Sequence, residues 1–189
     1  LNAQIEPHFL FNTLANVKRL YETHPERGRH MLVALIAYLR AALPGMRRHE
    51  STLAEELELV RHYLAILQMR MGERLTFAID AAPELLSARL PTLVLPTLVE
   101  NAIKHGLSPL PEGGHIDIRA RPANDGGLTV EVADTGQGFG AASGGAGVGL
   151  ANTRARLAGR FGDAAALELE GALPHGVVAR VRLPAEAFA

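Results

Sequence analysis

The sequence predicts an α+β fold in two parts, a helical region followed by a mixed α/β domain. Three observations carry this expectation. Apolar residues recur at helical spacing as far as about Met71, they alternate at strand spacing from Leu75 onward, and the second part holds no repeating strand–helix–strand unit.

In the first part Leu10, Leu14, Val17 and Tyr21 form one apolar stripe. A rotation of about 100° per residue puts His8, Asn12, Ala15 and Arg19 on the opposite face. Pro7 is expected to deprive the carbonyl of Ala3 of its partner and bend the helix. Pro25 and Gly28 punctuate a turn, and Met31, Leu32, Leu35, Ile36 and Leu39 make a second stripe that Pro44-Gly45 breaks. Ser51 followed by Ala54 and Glu55 reads as the next helix start, with Leu53, Leu57, Val60, Leu64 and Leu67 behind it and Gly72 at its end. The division therefore falls near residue 72, into regions 1–72 and 73–189.

Beyond it, Leu75, Phe77 and Ile79 alternate as in a strand. A helix over 92–105 follows, then a hairpin with strands 116–121 and 128–134 turned by Asp125-Gly126-Gly127. Seven glycines fall in the fourteen positions 136–149, ahead of a helix over 150–161 and two closing strands, 167–169 and 177–183.

The formal net charge of −1 over 189 residues gives no bulk attraction to nucleic acid or anionic lipid, so no direct nucleic-acid binding is expected. The absence of cysteine excludes disulfides and thiolate metal sites. No apolar run approaches the roughly 20 residues that span a bilayer. The chain begins at Leu1 inside a helical pattern, which reads as a piece of a longer protein.

Three segments of the second part carry chemistry. In Leu98-Val99-Glu100-Asn101-Ala102-Ile103-Lys104-His105-Gly106, the residues Leu95, Leu98, Val99, Ala102 and Ile103 share one helix face. Glu100, Asn101, Lys104 and His105 share the other. A carboxylate, an amide and two potential cations suit Mg²⁺ and phosphate oxygens, although many solvated helix faces look alike. Asp134-Thr135-Gly136-Gln137-Gly138-Phe139 follows a strand, where the glycines let the backbone turn under a flat ligand and Asp134 can accept from an adenine amino group. Alone, it is equally an ordinary turn. Gly144-Gly145-Ala146-Gly147-Val148-Gly149-Leu150 runs into a helix, whose N-terminus favours phosphate. It lacks the P-loop spacing and could by itself be a flexible linker.

In this order the three segments resemble the N, G1 and G2 boxes of the GHKL superfamily of ATPases and kinases. That resemblance implies a Bergerat-type α/β sandwich binding ATP and Mg²⁺. It makes Asn101 the Mg²⁺ ligand, Glu100 the polarising acid or base and Asp134 the reader of adenine. Gly136 and Gly138 become the adenine-side turn, Gly147, Gly149 and Leu150 the end of a mobile ATP lid, and Lys104 and His105 companions on the polar face. Asn152 and Arg154, just beyond, either face the phosphates or are solvated.

The first part resembles a narrower family. Gln4-Ile5-Glu6-Pro7-His8-Phe9-Leu10-Phe11-Asn12 is similar to the signature of LytS-type sensor histidine kinases, and Glu55-Glu56-Leu57 to Tyr63-Leu64 and Pro91 to Gly106 fit the same family. The resemblance implies a helical dimerisation and phosphoacceptor region, with the γ-phosphate passing from ATP to His8 and then to an aspartate of a response regulator, often of the LytTR type. It also implies the cytoplasmic domain of an inner-membrane protein, attached through a sensor preceding Leu1. Imidazole offers a neutral nucleophile at neutral pH, and Asn12, one turn on, can orient it. Phe9 stands where many sensor kinases carry an acid, which leaves Glu100 or Glu6 as candidate bases. His24, His30, His49, His62, His115 and His175 read as surface or structural residues. Ile5, Phe9 and Phe11 project outside the apolar stripe and predict a homodimer. The rival readings are an ATP-binding scaffold without catalysis and a GHKL ATPase that does not phosphorylate itself.

Overall fold

The computed structural model describes residues 6–138 and 146–189. Gln4, Ile5, Gly144, Gly145 and most of the expected lid lie outside the described residues.

Helix α1 (Pro7–Thr23) opens with Pro7 in its first turn. A missing N–H has no helical partner to lose there, so Pro7 starts the helix instead of bending it. The buried face of α1 is Phe9, Thr13, Val17 and Leu20, whereas Leu14 and Tyr21 of the expected stripe are exposed. Helix α2 (Pro25–Arg47) likewise begins at its proline and runs through Pro44, where a break was expected. Gly28 lies inside α2, and a Cβ there would sit 3.0 Å from the backbone nitrogen of Tyr21, so the glycine permits the close approach of α1 and α2. Met31, Leu35, Tyr38 and Ala42 face inward, and Ile36 is exposed.

Strand β1 (Glu50–Thr52) leads into helix α3 (Leu53–Met71). Thr52, not Ser51, caps α3: its side chain accepts from the Glu55 N–H at 3.2 Å, while the Glu55 carboxylate accepts from the Thr52 N–H at 2.9 Å. Gly72, at φ 61°, closes the helix as expected. The predicted apolar positions Leu53, Leu57, Val60, Leu64 and Leu67 are all buried.

The second part is a five-stranded sheet made of β2 (Leu75–Ala81), β4 (Gly114–Pro122), β5 (Leu128–Asp134), β6 (Ala166–Gly171) and β7 (Val177–Leu183). The order is β2-β4-β5-β7-β6; β2 is parallel to β4 and the other pairs are antiparallel. The hairpin joining β4 and β5 has the predicted turn, in which the Asp125 side chain accepts from the Gly127 N–H at 3.1 Å and Gly126 takes φ 82°. A short strand β3 (Arg89–Pro91) pairs with β1 in a separate ribbon that no sequence pattern announced.

Alternate residues of the sheet, Ile116, Ile118 and Ala120 with Val130, Val132 and Val181, are buried beneath helices α4 (Val94–Asn101) and α5 (Ala146–Phe161). The other face carries ion pairs such as Arg180–Glu131 at 2.7 Å. This is the helix-on-sheet sandwich expected from the sequence. One buried cluster runs without interruption from Phe9 and Tyr38 through α3 to α4 and the sheet.

Candidate nucleotide and phosphoacceptor site

Helix α4 has the predicted two faces. Leu95, Leu98 and Val99 are buried, as are Ala102 and Ile103 just beyond it, while Lys104 is exposed and Glu100, Asn101 and His105 are half-buried. The helix then widens into a π-turn over Ala102–Leu107. Such turns realign the residues that follow, and here the turn brings Gly106 to the end of β5.

At that end Asp134 is 5% exposed, and its Oδ1 accepts from the Gly136 N–H at 2.8 Å. Burial raises its pKa, against which the N–H groups of Gly136 and Val177 work. The Gln137 N–H donates to the Gly106 carbonyl at 3.2 Å, and the Gln137 side chain donates to the His105 carbonyl at 2.9 Å. A side chain at Gly136 would overlap the backbone of Gly106. The first two glycine-bearing segments are therefore packed on each other. Gly138 adopts φ 78°, the left-handed turn its glycine permits.

The third segment meets the same helix. Gly147 and Gly149 lie in the first turn of α5, and a Cβ on Gly149 would sit 3.4 Å from Thr97 and 4.0 Å from Asn101 Nδ2. Leu150 is buried in the core. Arg154 donates through Nε to the Leu167 carbonyl at 3.1 Å, tying α5 to β6.

Asn101 Nδ2 is buried and has no hydrogen-bond partner among the described residues. Buried polar groups are nearly always paired, so this amide fits a site completed by a polar ligand. Among the described residues no group of three or more His, Asp or Glu could hold a metal. The unpaired amide N–H suits a phosphate oxygen as acceptor, and the oxygen of the same amide is a hard ligand of the kind that Mg²⁺ takes together with phosphate oxygens and water.

Glu100 is pushed up to about 7, chiefly by burial and then by the negative charge of Glu6, with Lys104 opposing. A carboxyl so poised exchanges protons at neutral pH. The charges of Glu100 and Glu6 also add to burial in raising Tyr38 and Tyr63. Those two tyrosines clasp Phe9, with ring centroids 5.2 and 4.8 Å from it. The first turn of α1 is thereby seated on α2 and α3, within electrostatic range of Glu100. His8, next to Phe9, is exposed, and the Asn12 amide nitrogen lies 3.2 Å from its Nδ1 and 3.1 Å from its Nε2. Phe9 is thus a core residue and not the dimer contact expected of it, and of the two described residues named for that contact only Phe11 is exposed, at 69%.

Three contributors escaped the sequence reading. His175, in the loop before β7, meets the Gly136 carbonyl through Nδ1 at 2.9 Å. Thr153 is buried and donates to the Gly149 carbonyl at 3.0 Å. Glu56, 2% exposed, accepts from the N–H groups of Leu93 and Leu95 at the start of α4. Only the pairing of Asp134 with Val177 could have flagged His175; Glu56 stands in the family-like stretch Glu55-Glu56-Leu57 without a role of its own, and no local signal marks Thr153.

Known proteins resemble both parts of the chain. A family model described as histidine kinase matches residues 1–75, and one described as histidine kinase-, DNA gyrase B-, and HSP90-like ATPase matches residues 87–187. The chain is 33% identical to the sensor histidine kinase YesM of Bacillus subtilis, over 97% of this chain and 32% of that protein. It is also 33% identical to the sensor histidine kinase/phosphatase LytS of Staphylococcus aureus, over 90% of this chain and 31% of that protein. The chain spans about a third of the length of these relatives. Among solved structures, the catalytic domain of histidine kinase ThkA superposes with a TM-score of 0.55 at 21% identity, covering 71% of this chain and 94% of that one. The histidine kinase domain of a blue-light activated kinase from Erythrobacter litoralis gives 0.52 at 15% identity, covering 94% and 98%. At these identities the two structures share the fold.

Proposed function

Because the chain belongs to the histidine kinase-, DNA gyrase B-, and HSP90-like ATPase family, we propose that it is the kinase core of a two-component sensor histidine kinase, transferring the γ-phosphate of ATP to His8. The observation that carries this reading is the aromatic clasp. Phe9 is held by Tyr38 and Tyr63, both of which feel the charge of Glu100, so the turn that carries the exposed His8 is fixed within electrostatic range of the end of α4.

In this reading Asp134 accepts from the adenine amino group, and Gly136 and Gly138 shape the turn beneath the ring. Asn101 turns its amide oxygen to Mg²⁺, with Lys104 and His105 flanking the phosphates and Gly147 and Gly149 offering backbone N–H groups at the start of α5. Mg²⁺ supplies charge neutralisation on the phosphates. A ring nitrogen of His8 forms the bond to phosphorus as the bond to the ADP oxygen breaks. Glu100 takes the proton the ring gives up, and Asn12 holds the ring in orientation.

The partner to which the phosphate passes is an aspartate of a response regulator, of the LytTR type. Residues 1–72 act as the dimerisation and phosphoacceptor region and residues 73–189 as the ATP-binding region. A homodimer is supported by two exposed apolar rows, Phe11, Leu14 and Tyr21 along α1 and Val33, Ile36 and Leu43 along α2. Among the described residues no helix is long and apolar enough to cross a membrane. The likeness to proteins named sensor histidine kinases supports a place for this part on the cytoplasmic side, with a membrane-bound sensor preceding it.

Labelled ATP tests the reading. The label on the protein should be lost in mild acid and kept in base, as a phosphoramidate requires, and His8→Gln should abolish it while retaining nucleotide affinity. Acid-stable label, or label surviving in His8→Gln, overturns it in favour of simple ATP hydrolysis. Nucleotide binding with no label at all favours the silent scaffold.

A further inference from the structure

Glu55 and Glu56 are neighbours on the first turn of α3 and cap two different helices. Glu55 closes the capping box of α3 itself. Glu56, one residue and about 100° further round, turns inward and reaches α4. Its Oε1 accepts from the Ser51 hydroxyl at 2.8 Å and from the Leu93 N–H at 2.7 Å, and its Oε2 accepts from the Leu95 N–H at 3.0 Å. The carboxylate is 2% exposed. Burial pushes its pKa up, and these three donors together with the charge of Arg156 work against that rise.

Leu93, the N-cap of α4, has φ 60° and ψ 28°, the left-handed conformation, and it is the one non-glycine residue with positive φ among the described residues. A leucine stays there only when its surroundings hold it. Glu56 takes its N–H, and Thr97 takes its carbonyl with its hydroxyl at 2.7 Å. From the far side Arg156 of α5 donates to both the carbonyl and the hydroxyl of Thr92, the residue before. The entry to α4 is thus gripped by α3, by the β1–β3 ribbon through Ser51, and by α5. Glu100 and Asn101 are the last two residues of this eight-residue helix, so its first turn fixes where they stand.

We propose that Glu56 is a positioning residue for the nucleotide site: through the Leu93 and Leu95 N–H groups it locks α4 to the helical region, so that α3 and the Glu100-Asn101 pair move as one. This rests on the kinase reading above for what the site binds. The bonds themselves do not depend on that reading. Glu56→Gln keeps the shape but turns an NH₂ group toward an N–H donor, so one of the three bonds is lost.

The test uses the full chain, with MgADP as probe, at a temperature where each variant is folded by circular dichroism. Glu56→Gln should bind MgADP about tenfold more weakly, and the amides of Leu93 and Leu95 should exchange about tenfold faster, while amides of the β4–β5 hairpin keep their protection. A merely structural role would lower the melting temperature and leave the affinity of the folded molecules unchanged. That unchanged affinity, or unchanged exchange at Leu93 and Leu95, overturns the proposal. Should Glu56→Gln not fold, Glu56→Asp, whose carboxylate is one methylene shorter and so draws back from the Leu93 and Leu95 N–H groups, takes its place, and an affinity equal to wild type then overturns it. Wild-type protein that fails to bind MgADP sinks the kinase reading instead, which the exchange measurement distinguishes.

Discussion

Gly106 lies so close to Asp134 that a Cβ on the glycine would stand 2.7 Å from Asp134 Oδ1. The π-turn after α4 and the end of β5 have therefore been brought to a contact only a hydrogen fits, and the carboxylate proposed to read adenine rests against the helix proposed to hold the phosphates. Gly106→Ala should push Asp134 off its position and lower ATP affinity by about tenfold or more, with overpacking costing about 1–3 kcal/mol of stability. Asp134→Asn should weaken binding comparably, by about 1.5–3 kcal/mol. Calorimetric titration with ATP measures both, and an unchanged affinity in either places the adenine site elsewhere.

The carboxyl of Glu100 should titrate near 7, observable as a ¹³C shift. Glu6→Gln should lower that midpoint, because the charge of Glu6 is the second cause of the rise. The sign for stability follows. A carboxyl held above its unfolded value binds more protons in the native state, so it costs stability progressively as pH rises from about 4.5 to about 7, and no more above that. Glu100→Gln should remove this slope and depress phosphotransfer. A carboxyl titrating below 5 refutes the assignment of Glu100 as base.

Asn12→Ala should change the rate at which label appears on or leaves His8 by about 10- to 100-fold without moving the labelled site. The Asn12 amide nitrogen lies within 3.2 Å of both ring nitrogens. Rapid-quench kinetics supply the readout, and wild-type rates in both directions would show the contact to be idle.

Phe9 and Phe11, two residues apart, should behave oppositely. Phe9→Ala opens a cavity between Tyr38 and Tyr63 and should cost about 3–5 kcal/mol of folding stability. Phe11→Ala should leave unfolding within about 0.5 kcal/mol of wild type at concentrations where the chain is monomeric, yet weaken self-association. Urea melts and sedimentation equilibrium separate the two effects, and a self-association unaltered by Phe11→Ala and Ile36→Glu removes the proposed interface.

Much of this site was written in local sequence. The two faces of α4, the Asp at the end of β5 and the glycines that follow depend on nearest neighbours and period alone. What local pattern misjudged was which of two apolar rows on α1 meets the core. Leu10, Leu14, Val17 and Tyr21 look as suitable as Phe9, Thr13, Val17 and Leu20, and the choice falls to the partners waiting on α2 and α3. Pro44 reads as a break because the ring costs one hydrogen bond, to the carbonyl of Arg40, yet α2 runs on through it to Arg47, near the helix end. The β1–β3 ribbon is three residues a side, too short for alternation to register.

Adjacent caps on one helical turn also have a bearing on protein engineering. A chimera that joins the helical region of one kinase to the nucleotide region of another at Gly72 inherits Ser51 and Glu56 from the first parent and Leu93, Leu95 and Arg156 from the second. The lock would then be assembled from halves that never evolved together. A splice upstream of Glu50 keeps both halves from a single parent, and recombinants cut there should retain nucleotide affinity that those cut at Gly72 lose.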